Sequence, residues 1–316
     1  MNITDDPQAR LIIGGVLAML GTASLIGWIL SKLLKDPKQQ EVVANLNSRT
    51  NAWWVMVVTF FIAIGLGRKG SIILFCLVSF LALREFITLT PTTRGDHRVL
   101  FWVFFVLNPI QYLLLAINWV SLFLIFIPVY AYLWIPIRNA IAGDTNDFLA
   151  RTAKIQWALM VCVYFVSYAP ALLDLHAPGY EHQGAKLLCF FVFVVQISDV
   201  LQYVFGKLFG KHKIAPLVSP NKTVEGFLGG IGSAVALGAS LYWMTPFNPW
   251  QAALMALAIT LMGFAGGLVM SAIKRDRGVK DYGVLIPGHG GMMDRIDSLC
   301  FAAPIFYHLT RFFFVH

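Results

Sequence analysis

Long polar stretches are missing from this 316-residue chain, and charge is scarce: 13% of the residues are Asp, Glu, Lys or Arg. Soluble domains run nearer a quarter charged. Without a long polar segment there is no material for a large aqueous domain. Cysteine is sparse as well. Cys76, Cys162, Cys189 and Cys300 all lie in apolar runs, and no C-x-x-C spacing occurs. That excludes the usual zinc and dithiol signatures and leaves small buried hydrophobes as the reading. Strict alternation of apolar and polar residues is absent too, which argues against a transmembrane β-barrel.

What is present is continuous apolar sequence. Hydrophobic residues make up 58% of the chain and the mean hydropathy is +0.71. About ten apolar segments lie near residues 11–34, 52–66, 70–87, 99–116, 118–137, 155–173, 185–205, 224–243, 250–270 and 299–315. Each approaches the length a helix needs to cross ~30 Å of hydrocarbon. Lipid offers no partner for a bare peptide group, so helices are the default. The expected fold is therefore all-α, a polytopic integral membrane bundle of about ten transmembrane helices. Segments two and three are short and joined by GRKG, so a re-entrant pair is an alternative for them. The acidic start, MNITDDPQAR, precedes a long apolar run, which reads as a spanning helix rather than a cleaved signal peptide.

The formal charge is +8, with no basic soluble module to suit a nucleic acid. Its distribution is more telling. With an external N-terminus, all of the 24 basic residues except Arg10, Arg68, Lys69, Lys186 and Arg311 fall in loops or helix ends on one side. The positive-inside rule makes that side cytoplasmic. Gly226 and Gly230, and again Gly263 and Gly267, have the G-x-x-x-G spacing of closely packed helices.

The most polar stretch follows the ninth segment: SAIKRDRGVKDYGVLIPGHGGMMDRIDS, residues 271–298. Ser271, Lys274 and Arg275 stand at i, i+3 and i+4 and share a helix face; Asp294 and Asp297 share another. Between them runs a glycine-rich loop whose N–H groups can approach a ligand closely. Cations suit a polyphosphate. Carboxylates suit a hard divalent ion, which binds one or two of them plus phosphate oxygens. Together they point to phosphoryl or nucleotidyl transfer, where positioning and charge neutralisation supply most of the rate.

The pattern S-x-x-K-R-x₄-K-D-x-G-x₂-I-P-x-H-G-G-x₂-D-R-x-D resembles the signature of the phosphatidate cytidylyltransferase (CDP-diacylglycerol synthase) family. It is carried here by Ser271, Lys274, Arg275, Lys280, Asp281, Gly283, Pro287, His289, Gly290, Gly291, Asp294, Arg295 and Asp297. A second block, residues 197–230, is similar to the family's other conserved region. Asp199 falls on its acidic position, and Ser219, Pro220, Lys222, Thr223, Glu225 and Gly226 on S-P-x-K-T-x-E-G. The resemblance covers roughly residues 185–316, a C-terminal catalytic region. Residues 1–184 are then a scaffold or the pocket for the acceptor lipid.

The resemblance implies transfer of CMP from CTP to phosphatidate, giving CDP-diacylglycerol and pyrophosphate, with Mg²⁺. It implies catalytic roles for Asp199, Ser271, Lys274, Arg275, Asp294 and Asp297. Lys222, Lys280, His289, Gly290, Gly291 and Arg295 would bind substrate, and Asp199, Asp294, Asp297 and Asp281 would ligate metal. One departure stands out: many bacterial members have G-D-L before the signature serine, where this chain has Gly266-Gly267-Leu268. Metal ligation then shifts onto Asp199, Asp294 and Asp297. The expected setting is a bacterial inner (plasma) membrane with the site facing the cytoplasm, no nucleic acid, and a homodimer left open.

Plainer roles stand beside these. Asp294 can cap its helix, Ser271 can bond back to its own helix, and His289 can be merely solvated. Glu225 is a candidate capping carboxylate for the eighth segment, and Asp281 can pair with Lys280. Arg84 and Glu85 read as an ion pair at the third helix's inner end. Two other functions remain, a cytidylyltransferase for a different lipid phosphate and a non-enzymatic transporter. A CDP-lipid-using transferase would need a D-G dipeptide, and none occurs.

Overall fold

The computed structural model describes residues 7–34, 36–286, 288 and 290–315. Ten long helical stretches follow one another: α1 Pro7–Leu33, α2 Pro37–Gly65, α3 Gly67–Thr88, α4 Asp96–Ala116, α5 Val120–Ile141, α6 Phe148–Asp174, α7 Gly184–Phe209, α8 Val224–Ser240, α9 Pro249–Asp276 and α10 Met293–Phe314. They coincide with the ten apolar segments. Seven of them (α1, α3, α4, α5, α6, α7 and α9) are long and apolar enough to cross a membrane; α8 is apolar but shorter. This is an all-α integral membrane protein.

Local chemistry sets several helix starts. Asp36 accepts the Lys38 N–H, with Pro37 opening α2. Asn248 and Gln251 form a reciprocal capping box ahead of α9. Thr223 Oγ1 accepts the Gly226 N–H and starts α8. Within α4, α5 and α6 one turn widens to a π-helix, at Val103–Leu107, Phe126–Ala131 and Met160–Phe165. In α4 the cause is Pro109, which cannot donate to the Phe105 carbonyl four residues back.

Polar clusters mark the two ends of the bundle. At one end Arg68 binds the Asp174 carboxylate at 2.9 Å, the Leu115 and Ala116 carbonyls and Asn118. That ties together the start of α3 and the ends of α4 and α6. At the other end Arg151 bonds Asp96 at 3.2 Å and Asp144 at 2.9 Å, joining the starts of α4 and α6. Successive helices thus alternate in direction, as the basic-residue pattern requires. One hydrophobic core, from Phe75 and Leu83 through Val163 to Phe190 and Phe306, runs through both the N-terminal and C-terminal stretches.

Among the described residues a small two-stranded sheet interrupts the helices. Lys213–Ala215 (β1) and Ser219–Thr223 (β2) form an antiparallel hairpin at the basic end, pairing Lys213 with Thr223 and Ala215 with Ser219. Pro216 and Pro220 explain it, because a residue before proline is driven out of the helical region. The hairpin carries Lys222 to the bundle.

Candidate active site

α8 packs on α7 almost backbone to backbone. A Cβ added at Gly226 would lie 2.7 Å from the Gln202 carbonyl, and one at Gly230 would lie 2.5 Å from the Gln202 nitrogen. That G-x-x-x-G pair is a packing device, as expected. The second pair divides differently. A Cβ at Gly266, not Gly263, would make the close helix contact, 2.6 Å from the Asp297 carbonyl, while one at Gly267 would meet side chains of the cleft, Lys222 Nζ first at 3.0 Å.

These crossings bring α7, α9, α10 and β2 around a cleft of about 300 Å³ near the basic end, lined by Asp199, Lys222, Ser271, Asp294, Arg295 and Asp297. Asp199 lies ten residues before the end of α7, and Asp297 in the second turn of α10. Two carboxylates from different helices thus line one space. One Asp297 oxygen accepts the Ser298 N–H at 2.8 Å.

Two cations belong to this cleft. Lys222 Nζ lies 4.4 Å from the Phe264 ring centroid and 3.3 Å from the Phe264 carbonyl oxygen. Burial pushes its ammonium below the usual lysine range, while Asp199 and Asp297 pull the other way. Arg295 Nε is buried and has no hydrogen-bond partner among the described residues. A buried, unpartnered guanidinium N–H is costly unless a ligand satisfies it.

Asp294 is differently employed. One oxygen binds Lys274 Nζ at 2.8 Å; the other accepts the Tyr282 and Gly291 N–H groups at 2.8 and 2.9 Å. It is an anchor for the signature loop, and it does not cap its own helix, the plainer role expected of it. The loop's glycines also serve the protein first. Gly290 sits at φ 82° and its carbonyl accepts the Ile286 N–H. The Gly291 N–H is spent on Asp294.

Sequence reasoning missed the main partner of this loop. Glu85, on α3, accepts the Met292 N–H at 2.9 Å and the Met293 N–H at 2.8 Å, so it caps α10. A Cβ at Gly291 would collide with the Glu85 carboxylate, and one at Gly283 would lie 2.9 Å from it. The glycines therefore admit Glu85. The Arg84–Glu85 pair does not form: Arg84 is exposed while Glu85 is buried, since neighbouring helix residues point apart. The sequence shows only a lone carboxylate in an apolar helix with no basic residue three or four positions away, which marks Glu85 as unusual without naming its partner.

The remaining predicted residues scatter. Ser271 lines the cleft and donates to the Gly267 carbonyl at 2.7 Å. Arg275 bonds the Val218 and Val279 carbonyls, fixing the hairpin to the end of α9. Lys280 and Asp281 are exposed on the loop, outside the cleft lining. Glu225 binds His212 Nδ1 and the Lys211 N–H, leaving the cap of α8 to Thr223. His289 lies outside the described residues. Among the described residues no three His, Cys, Asp or Glu side chains gather as a metal site.

The model of the cytidylyltransferase family matches residues 47–313. This chain belongs to that family. It is a membrane-embedded nucleotidyltransferase, and the transporter alternative falls away. The "Uncharacterized protein YnbB" of Escherichia coli (strain K12) is 40% identical over 300 residues, 94% of this chain and 96% of that protein. A phosphatidate cytidylyltransferase of Staphylococcus epidermidis (strain ATCC 35984) is 42% identical over 125 residues, 39% of this chain and 48% of that enzyme. One from Staphylococcus aureus (strain COL) is 32% identical over 198 residues, 60% of this chain and 76% of that enzyme. In the family's frame the cleft can do two things: neutralise phosphate charge with Lys222 and Arg295, and offer Asp199 and Asp297 to a cation.

Proposed function

We propose that the enzyme transfers CMP from CTP to phosphatidate at the cytoplasmic face of a bacterial inner membrane. A phosphate oxygen of phosphatidate attacks the α-phosphorus of CTP, the bond to the β-phosphate oxygen breaks, and CDP-diacylglycerol and pyrophosphate result. The attacking group belongs to the substrate, so no protein nucleophile is needed. The observation that carries this reading is the shared cleft, with two carboxylates from separate helices facing Lys222 and the unpartnered Arg295 nitrogen.

The donor set suits Mg²⁺, which takes one or two carboxylates and completes its shell with phosphate oxygens and water. Asp199 and Asp297 would hold it, and when bound it neutralises phosphate charge. Lys222 and Arg295 bind and orient the phosphates. Ser271 lines their path, and Asp294 holds the loop that closes one side.

A second reading has its own support. The two phosphatidate cytidylyltransferases described above align with 39% and 60% of this chain, whereas YnbB aligns with 94%. An acceptor other than phosphatidate would suit that pattern. The test is pyrophosphate release by purified protein with CTP, Mg²⁺ and a panel of lipid phosphates, with EDTA as control. Phosphatidate-dependent release, lost in Asp199→Asn and Asp297→Asn, is expected. Release with another lipid phosphate alone selects the second reading. Unchanged turnover in both variants overturns the site.

A further inference from the structure

A second cavity adjoins the cleft through α7. It is a groove of about 230 Å³ between α1, α2 and α7, walled by residues such as Leu20, Trp53, Phe60, Val192 and Val200. Gln196 is the one amide in this lining, and its Nε2 donates to the Arg295 carbonyl at 3.3 Å. The groove's polar end is therefore fixed to a residue of the cleft. Val200, also on the groove, directly follows Asp199.

Depth gives the second argument. Along α7 the lining runs from Val200 back to Cys189, toward the less basic end of the bundle. At 1.5 Å per residue that is ~16 Å, about half of a ~30 Å hydrocarbon core and so about one leaflet. An anion-binding cleft at one end and an apolar channel one leaflet deep match one amphiphile, a phosphate head with a fatty tail. A second protein copy would cover a face, but it would not need an apolar groove on the helix that carries Asp199, tied through Gln196 to the Arg295 backbone.

We infer that the α1–α2–α7 groove seats an acyl chain of the acceptor, so that residues 16–20 and 53–61 select chain length while the C-terminal helices do the chemistry. This deepens the function proposed above and rests on the acceptor being a lipid phosphate. Two readouts test it. In the first, phosphatidate carrying a diazirine near the end of one chain is photolysed with the full-length protein, and labelled peptides are mapped. Labels within 53–61 or 189–200 are expected; labels confined to other faces, or links between two protein copies, overturn the inference.

In the second, Val57→Trp and Val192→Trp fill the groove. The ratio of kcat/KM for dipalmitoyl over dihexanoyl phosphatidate is expected to fall at least tenfold in both. A ratio within twofold of wild type in either folded variant overturns it. Turnover of the dihexanoyl acceptor shows that a variant is folded. The photolabel needs no turnover: labelling of the groove without pyrophosphate release would sink the proposed reaction and leave the groove standing.

Discussion

At Gly267 an added Cβ would lie 3.0 Å from Lys222 Nζ and 3.4 Å from Ser298 Oγ. The space that a side chain would fill at this position is space the lysine uses. That is the structural content of a glycine at this position. A cation inside the cleft then faces Asp199 and Asp297 directly, and its protonation becomes a testable property. Burial lowers the Lys222 pKa in the folded protein. The unfolded chain therefore binds the proton more tightly, and this group's contribution to stability rises with pH between the lowered value and ~10.4. Function runs the other way, because anions bind the protonated form. The kcat/KM for CTP is expected to fall as pH rises through that lowered value. In Lys222→Arg the guanidinium stays charged above pH ~12, so the alkaline limb should move up or vanish. An alkaline limb identical in Lys222→Arg would assign it to another group.

At the scale of elements, Glu85 shows how the first half of the chain holds the second. The carboxylate takes two N–H groups at the start of α10. Glu85→Ala would leave both buried donors unpaired, at a cost of about 3 kcal/mol. We expect a lower thermal midpoint and at least a tenfold loss of pyrophosphate release, whereas Arg84→Ala, on the exposed side, should change each little. Equal effects of the two substitutions would refute the capping role. The α7–α8 crossing makes a separate prediction. Gly230→Leu has no room beside the Gln202 backbone and should displace α8 and Lys222, giving a less stable protein with weaker CTP binding. Much of this was legible in sequence. The ten segments and the packing role of Gly226 and Gly230 follow from hydropathy and spacing. Glu85 was not, because its partners lie more than two hundred residues away. The hairpin was passed over because its prolines were read only as part of a motif. The loop contacts of Asp294 were not legible either, because spacing shows which residues share a face and not which hydrogen bonds they make.

For the whole molecule, the decisive property is sidedness, since the proposed donor, CTP, would come from the cytoplasm and the cleft lies near one end. The Arg151–Asp96–Asp144 cluster marks the end with most of the basic residues; the Arg68–Asp174 cluster marks the other. Thr145 and Pro178 are exposed in the loops at these respective ends. The native cysteines are buried or half-buried within apolar helices, so they should stay silent to a polar thiol reagent. In intact bacterial spheroplasts, a membrane-impermeant maleimide is expected to label Pro178→Cys and to spare Thr145→Cys until the cells are lysed. Labelling of Thr145→Cys alone before lysis would put Lys222, Asp199 and Asp297 near the outer face, away from nucleotide. Labelling of both before lysis would break the alternation of helix directions that brings α7, α9 and α10 to a common end, and the shared cleft would go with it.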